Sequence, residues 1–337
     1  SNSKGYFNTA GKMTWIEKSG SEWKIKDQIT MDQNASDFKI FGDNQTFAFT
    51  VKNNLFVNKN GKTIAVTNDT DENILNGASN VHRNEFGIDT GIFPAPNSES
   101  VAFYRMDQTM VADYPIIDWS VTPAVNHNIK YPMAGQTSHE VTLGVFNIKN
   151  QSTTFLKIEG EKDQYLTAVT WSPDSKYIFV GVLNRGQNHL KMNQYDAATG
   201  NFVKTLFEET SDKYVEPQHP LIFFPNSNTD FIWQSQRTGY NHLFHYSLEK
   251  GLVAQITKGD WLVTDILGFN EKKKEIYFAS TKETPLEKHL YRINWINFKM
   301  QRLDNAEGVH TGILSSDGNH LYDIYTNAKR LEELYTQ

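Results

Sequence analysis

Apolar and polar positions alternate with a period of two along most of the chain, and clusters of Asn, Asp, Ser, Pro and Gly interrupt the alternation. This pattern predicts half-buried β-strands joined by tight turns. Six segments share one grammar, in which an aromatic or apolar residue leads into a polar turn and a short apolar strand follows. They are FGDNQTFAFTVKNNLFV from Phe41, FPAPNSESVAFYRMDQ from Phe93, WSPDSKYIFVGVLNR from Trp171, FFPNSNTDFIWQSQ from Phe223, FNEKKKEIYFAST from Phe269 and SSDGNHLYDIYTN from Ser315. Their starts lie 52, 78, 52, 46 and 46 residues apart, so the second interval carries a long insertion. A partial seventh unit is read in MTWIEKSGSEWKIKDQIT, Met13 to Thr30. Helical periodicity is confined to short stretches: SNVHRNEFG, and the terminal NAKRLEELYTQ, which reads as a helix or as a strand entering another domain.

A unit of about 40 to 50 residues holding four strands is one propeller blade. One small sheet cannot bury both faces, whereas radial stacking covers them and leaves only short edges. A sandwich does not repeat a unit of this length, and a β-helix repeats a shorter one. The predicted fold class is therefore all-β, a β-propeller of four-stranded blades. Within this grammar Trp171 of WSPDSK and Trp261 of TKGDW are expected to pack between blades.

Composition narrows the chemistry. Phe, Tyr and Trp make up 13% of the 337 residues, which suits strands. The formal net charge is -6, and the densest basic run, EKKKE at Glu271 to Glu275, is flanked by acids and reads as a hairpin turn. Nucleic acid is not an expected partner, because phosphate binding needs a clustered positive surface. There is no Cys, so disulfides, thiolate catalysis and Cys-based zinc sites are excluded. Of ten His, only His242 and His245 are close in sequence, and on a strand such a pair faces opposite ways. NDTDEN, Asn68 to Asn73, lacks the Gly that a calcium loop needs at its bend. Neither a metal nor a cofactor is expected. No run approaches the ~20 apolar residues of a membrane helix. The chain opens SNSKGYF, without Met and without a visible signal peptide, as a processed protein would.

Longer phrases go beyond blade grammar. VHRNEFGIDTGIFPAPNSESVAFYRMDQTMVADYP from Val81, then YPMAG from Tyr131, VTWSPDSKYIFVGVLNRGQN from Val169 and YDAATG from Tyr195 resemble the propeller of the dipeptidyl peptidase IV family, bacterial branch. YVEPQHPLIFFP from Tyr214, GYNHLFHY from Gly239 and QITKGDWLVTDI from Gln255 extend the resemblance in family order, roughly from residue 40 to residue 325. The family joins an eight-bladed propeller to a C-terminal α/β-hydrolase domain. It removes Xaa-Pro or Xaa-Ala dipeptides from free peptide N-termini with a Ser-Asp-His triad, the Ser in a G-x-S-x-G elbow. This chain has no such elbow. The resemblance thus implies a propeller over 1–325 with about seven blades visible. It implies a linker or the start of a hydrolase domain over 326–337, and a chain inactive alone. The implied partners are peptides with a free N-terminus, the protein's own hydrolase domain and, in the full-length enzyme, a second copy. The implied location is periplasmic or secreted. The alternative is a stand-alone propeller that binds protein or peptide without catalysis.

The family carries two adjacent Glu on a short helical excursion of the propeller, where they bind the substrate's α-ammonium through charge-assisted hydrogen bonds. The resemblance lays the second on Glu85 and the first on Asn84, a departure that leaves one carboxylate and one amide. The plain alternative for Glu85 is an exposed loop carboxylate. Asp89 reaches the same face only if the stretch is helical. Arg83 reads as a surface salt-bridge partner. Tyr214 lies near an aromatic that lines the family's substrate pocket, or else packs in a blade. Arg105 presents its guanidinium to the cavity or to the partner domain, or else forms an inter-blade ion pair with Asp107 or Asp113. The insertion between Met106 and Thr142, with VADYPIID, is expected to project as an arm.

Overall fold

The computed structural model describes residues 4–9, 11–328 and 330–336. These residues form seven blade-sized antiparallel sheets and one separate hairpin. The first sheet has three strands, Lys4–Thr9, Lys12–Ser19 and Glu22–Thr30. The second has four, Ala35–Ile40, Phe47–Val51, Asn54–Lys59 and Lys62–Ala65. The third is built on Ser100–Asp107, which pairs on one side with Glu140–Asn147. On its other side it pairs with two short strands, Ile74–Asn76 and Ile92–Pro94. The fourth orders Tyr165–Trp171, Tyr177–Leu183, His189–Asp196 and Phe202–Thr210. The fifth and sixth span Ile222 to Gln255 and Val263 to Arg302, with four strands each. The seventh orders Val309–Leu314, Leu321–Asn327 and Arg330–Thr336. Of the terminal stretch 326–337, Arg330–Thr336 is thus a strand of this last sheet, and Lys329 and Gln337 lie outside the described residues.

The chain divides into two compact units, 1–205 and 206–337. In the first, the second and third sheets bury Phe41, Leu55, Val57, Phe103 and Phe146 together, and the first and second bury Met13, Trp15, Phe47 and Phe49. In the second, Ile232, Leu243, Trp261, Phe278 and Tyr291 share one core. Burying each such side chain stabilises by roughly 1.5–3 kcal/mol, which is why alternating sequences settle as stacked sheets. Trp261 packs edge-on to His242 and near-parallel to Phe278, and the Trp171 indole donates across to the carbonyl of Phe93 at 2.8 Å. The recurring turns share one hydrogen-bond device. Ser172 Oγ donates to Asp174 at 2.7 Å and accepts from the amide of Tyr177, and Ser315 repeats this with Asp317 and the amide of His320. EKKKE forms the turn before strand Glu275–Ser280.

The insertion after Met106 folds as the separate hairpin, Asp113–Asp118 against Val125–Lys130. Its strands are exposed except at their last residues, the half-buried Asp118 and Lys130, and Ile116, Ile117, Trp119 and Ile129 are among its exposed apolar side chains.

Candidate functional site

Strands Ile74–Asn76 and Ile92–Pro94 pair with the same edge of Ser100–Asp107, Asn76 opposite Arg105 and Ile92 opposite Phe103. They are one edge strand interrupted at the position facing Tyr104. The Gly77 amide donates to the Tyr104 carbonyl, and the Tyr104 amide donates to the Gly91 carbonyl. Between the two glycines the chain leaves the sheet and returns. The neck is so tight that a Cβ on Gly91 would stand 2.3 Å from the carbonyl oxygen of Ala78.

The excursion carries the predicted site residues. It is not an α-helix. Val81–Asn84 is a single 3-10 turn in which His82, Arg83 and Asn84 all have positive φ, at 50°, 58° and 63°. Glu85 is extended, with φ -72° and ψ 165°, and Phe86 returns to φ 58°. Four non-glycine residues in the left-handed region cost of order 1–3 kcal/mol each, so the conformation persists only where its surroundings impose it. Without a helix, the argument that would bring Asp89 beside Glu85 lapses.

Those surroundings are specific. Val81, His82, Phe86 and Ile88 are buried. The Phe86 ring meets the Tyr165 ring edge-on at 4.9 Å. His82 Nε2 accepts from the Leu166 amide at 3.1 Å, which leaves the proton on Nδ1, and Nδ1 donates to His139 Nε2 at 3.0 Å. Burial, with the positive Arg83 and Arg185 nearby, lowers the His139 pKa to about 4. Burial, His139 and Arg185 likewise push His82 well below the usual imidazole range. The pair is thus neutral at pH 7. Asn84 donates from Nδ2 to the carbonyls of Ser79 at 2.8 Å and Ile88 at 3.2 Å, which fixes its amide and leaves Oδ1 as an acceptor. Arg83 forms no salt bridge among the described residues. Its Nη2 donates to the carbonyl of Lys130 and, at 3.1 Å, to Gln108 Oε1.

Glu85 is exposed, and among the described residues its carboxylate takes part in no hydrogen bond or ion pair. A strained, multiply anchored turn thus presents one unpaired carboxylate with an amide oxygen on the adjacent residue. That set can accept hydrogen bonds from a primary ammonium.

The other candidates stand elsewhere. Arg105 pairs with Asp69 at 3.0 Å, not with Asp107 or Asp113. Burial alone would raise the Asp69 carboxyl, but hydrogen bonds from Arg105 and Asn76 hold it below its ordinary value. This correction has a topological cause. Asp69 precedes the interrupted edge strand, which lies beside Arg105 through Asn76. In the second unit, Tyr214 is 57% exposed at the rim of a cleft of about 480 Å³. Glu208, Glu209, Trp233 and Arg237 help to line it. Glu209 accepts from the Trp233 indole at 2.6 Å, from Ser235 at 2.9 Å and from Arg237. The Arg237 guanidinium also lies 4.7 Å from the Phe244 ring centroid.

The sequence reading missed one cluster. His289, Asp304 and His310 are buried and place ligand-type atoms within 4.8 Å of one another. His289 opens strand His289–Asn294, His310 lies on Val309–Leu314 and Asp304 sits in the loop after Met300–Arg302, at sequence separations that no local motif reveals. Arg302 donates to Asp304 Oδ1 at 2.7 Å and stands 2.9 Å from His289 Nδ1. Glu287 on His289 and Asp323 on His310 complete a hydrogen-bonded network. His242 instead bonds Thr257 and Gly259, and His245 bonds Asp230.

With this geometry in view, the family profile described as "Dipeptidyl peptidase IV (DPP IV) N-terminal region" matches residues 9–330. The chain belongs to that family. Its fold is the family's β-propeller. It superposes on the crystal structure of a candidate dipeptidyl aminopeptidase IV from Bacteroides ovatus with TM-score 0.88 and 35% identity, covering 99% of this chain and 49% of that one. The Porphyromonas gingivalis dipeptidyl peptidase 4 structure shares the fold at TM-score 0.83 and 20% identity, with 99% and 48% covered. A dipeptidyl peptidase 4 of Trichophyton rubrum is 25% identical over 309 residues, 87% of this chain and 40% of that protein. The chain thus spans less than half the length of these relatives.

Proposed function

We propose that this chain is the non-catalytic propeller portion of a serine aminodipeptidase that releases Xaa-Pro or Xaa-Ala dipeptides. Its part is to hold the substrate's free amino group and to gate access. One observation carries the reading. The position onto which the resemblance lays the family's amine-binding pair lies on an excursion whose backbone is strained, anchored on several sides and tipped by Glu85, a carboxylate unpaired among the described residues. Asn84 replaces the first acid of the family pair with a fixed amide, so one charge anchors the ammonium. A hydrolase domain outside this chain supplies nucleophile, base and oxyanion hole. The exposed apolar hairpin suits contact with a second copy.

The test uses the full-length protein and a free-amine Xaa-Pro substrate. Glu85→Gln should raise KM at least tenfold, the loss of one charge-assisted hydrogen bond. An unchanged KM would overturn the reading.

A further inference from the structure

Arg83 joins two structures that are far apart in sequence. It lies two residues before Glu85 in the left-handed turn. Its guanidinium reaches the hairpin, donating to the carbonyl of Lys130, the last residue of strand Val125–Lys130. The same Nη2 meets Gln108 Oε1 at the hairpin's root, and the guanidinium carbon lies 5.9 Å from the Tyr131 ring centroid. Tyr131 in turn packs on Tyr114 of the opposite strand, at 5.9 Å between centroids. Apart from these contacts, the amide of Tyr131 closes the hairpin base on the carbonyl of Ala112.

The charge on Arg83 is poorly compensated. Its hydrogen-bond partners are two neutral acceptors, and its Nε is buried without a partner. A partly buried cation without an anion is sensitive to small displacements of its acceptors. Moving Lys130 or Tyr131 therefore moves Arg83, and the turn cannot absorb that movement freely because His82 and Asn84 are pinned on either side.

We propose that Arg83 is a positioning residue that couples the hairpin 113–130 to the Glu85 turn, so that ordering the hairpin and binding a substrate amine favour one another. This rests on the amine-anchor reading of Glu85. Coupling of this kind is reciprocal: whatever the hairpin's order gives to amine affinity, amine binding returns to the hairpin. A second copy docked on the exposed apolar side chains of the hairpin would raise amine affinity through the same residue.

The experiment follows hydrogen exchange of segment 113–131 in the full-length protein, with the dipeptide Ala-Pro or its N-acetyl form as probe. In wild type, Ala-Pro should slow exchange of the hairpin at least twofold and the acetylated form should not. Arg83→Gln should remove that protection and weaken Ala-Pro binding about tenfold, as expected for one hydrogen bond from a charged group. Its KM should change more than its kcat. Arg83→Lys, which can still reach one carbonyl, should restore part of both. Tyr131→Ala leaves the turn's own residues intact and should also uncouple the hairpin, which guards against misfolding of the Arg83 variant. If Glu85→Gln leaves the preference for the free amine intact, the amine reading fails and this inference falls with it. If Glu85→Gln abolishes the preference while Arg83→Gln keeps both affinity and hairpin protection, only the coupling is wrong.

Discussion

The neutral His82–His139 pair under the Glu85 turn makes stability depend on pH in a defined window. The folded His139 pKa is depressed to about 4, whereas an unfolded imidazole titrates near 6.5. Between those values the unfolded chain binds a proton that the folded chain refuses. Stability is therefore complete above about pH 6.5, falls as pH drops towards 4, and loses nothing further from this group below that. At pH 4.5 the loss from His139 alone is about 2–3 kcal/mol, at 1.36 kcal/mol per pKa unit. The assay is urea unfolding of wild type and His139→Gln at pH 7.5, 6.0, 5.0 and 4.5. Gln keeps a polar partner for His82 and cannot titrate. The variant should lose about 2–3 kcal/mol less than wild type between pH 7.5 and 4.5. Identical pH slopes in the two proteins would refute the reasoning.

Further outcomes follow from the same contacts. Glu209→Ala strands the Trp233 indole, Ser235 and Arg237 and should cost about 2–4 kcal/mol, with the Glu209→Ala, Arg237→Ala pair less than additive in a double-mutant cycle. Tyr104→Phe removes the 2.6 Å hydrogen bond to the Leu166 carbonyl at a fully buried site and should lower stability by about 1–3 kcal/mol in denaturant unfolding. Gly91→Ala forces a Cβ against the Ala78 carbonyl and should open the neck of the excursion. Faster hydrogen exchange across residues 78–90 would report this, and unchanged exchange would count against the neck as the constraint.

Much of the fold was legible because blade grammar is local. A period-two run and a Ser-Asp turn are short-range features, so each of the six repeats marked a real sheet, and Met13 to Thr30 marked the first. Trp171 and Trp261 were readable for the same reason. The site was legible only in part. Resemblance located the excursion, but local sequence did not show that it interrupts an edge strand, because that depends on pairing with Ser100–Asp107. Nor did it show the left-handed turn. Arg83, Asn84 and Phe86 have no intrinsic preference strong enough to announce it, and contacts from Lys130, Ser79 and Tyr165 impose it. His82 meets a histidine 57 residues away, and Arg105 an aspartate 36 away. Partners at such distances are a product of topology, which is why the expected Asp107 and Asp113 gave way to Asp69.

The most direct test of the central claim is a calorimetric titration of a free-amine Xaa-Pro peptide and its N-acetylated twin into the full-length protein and its Glu85→Ala variant. The account predicts that wild type binds the free amine and that acetylation and Glu85→Ala each abolish that binding. Equal binding of both peptides by wild type, or free-amine binding unchanged in Glu85→Ala, would contradict it.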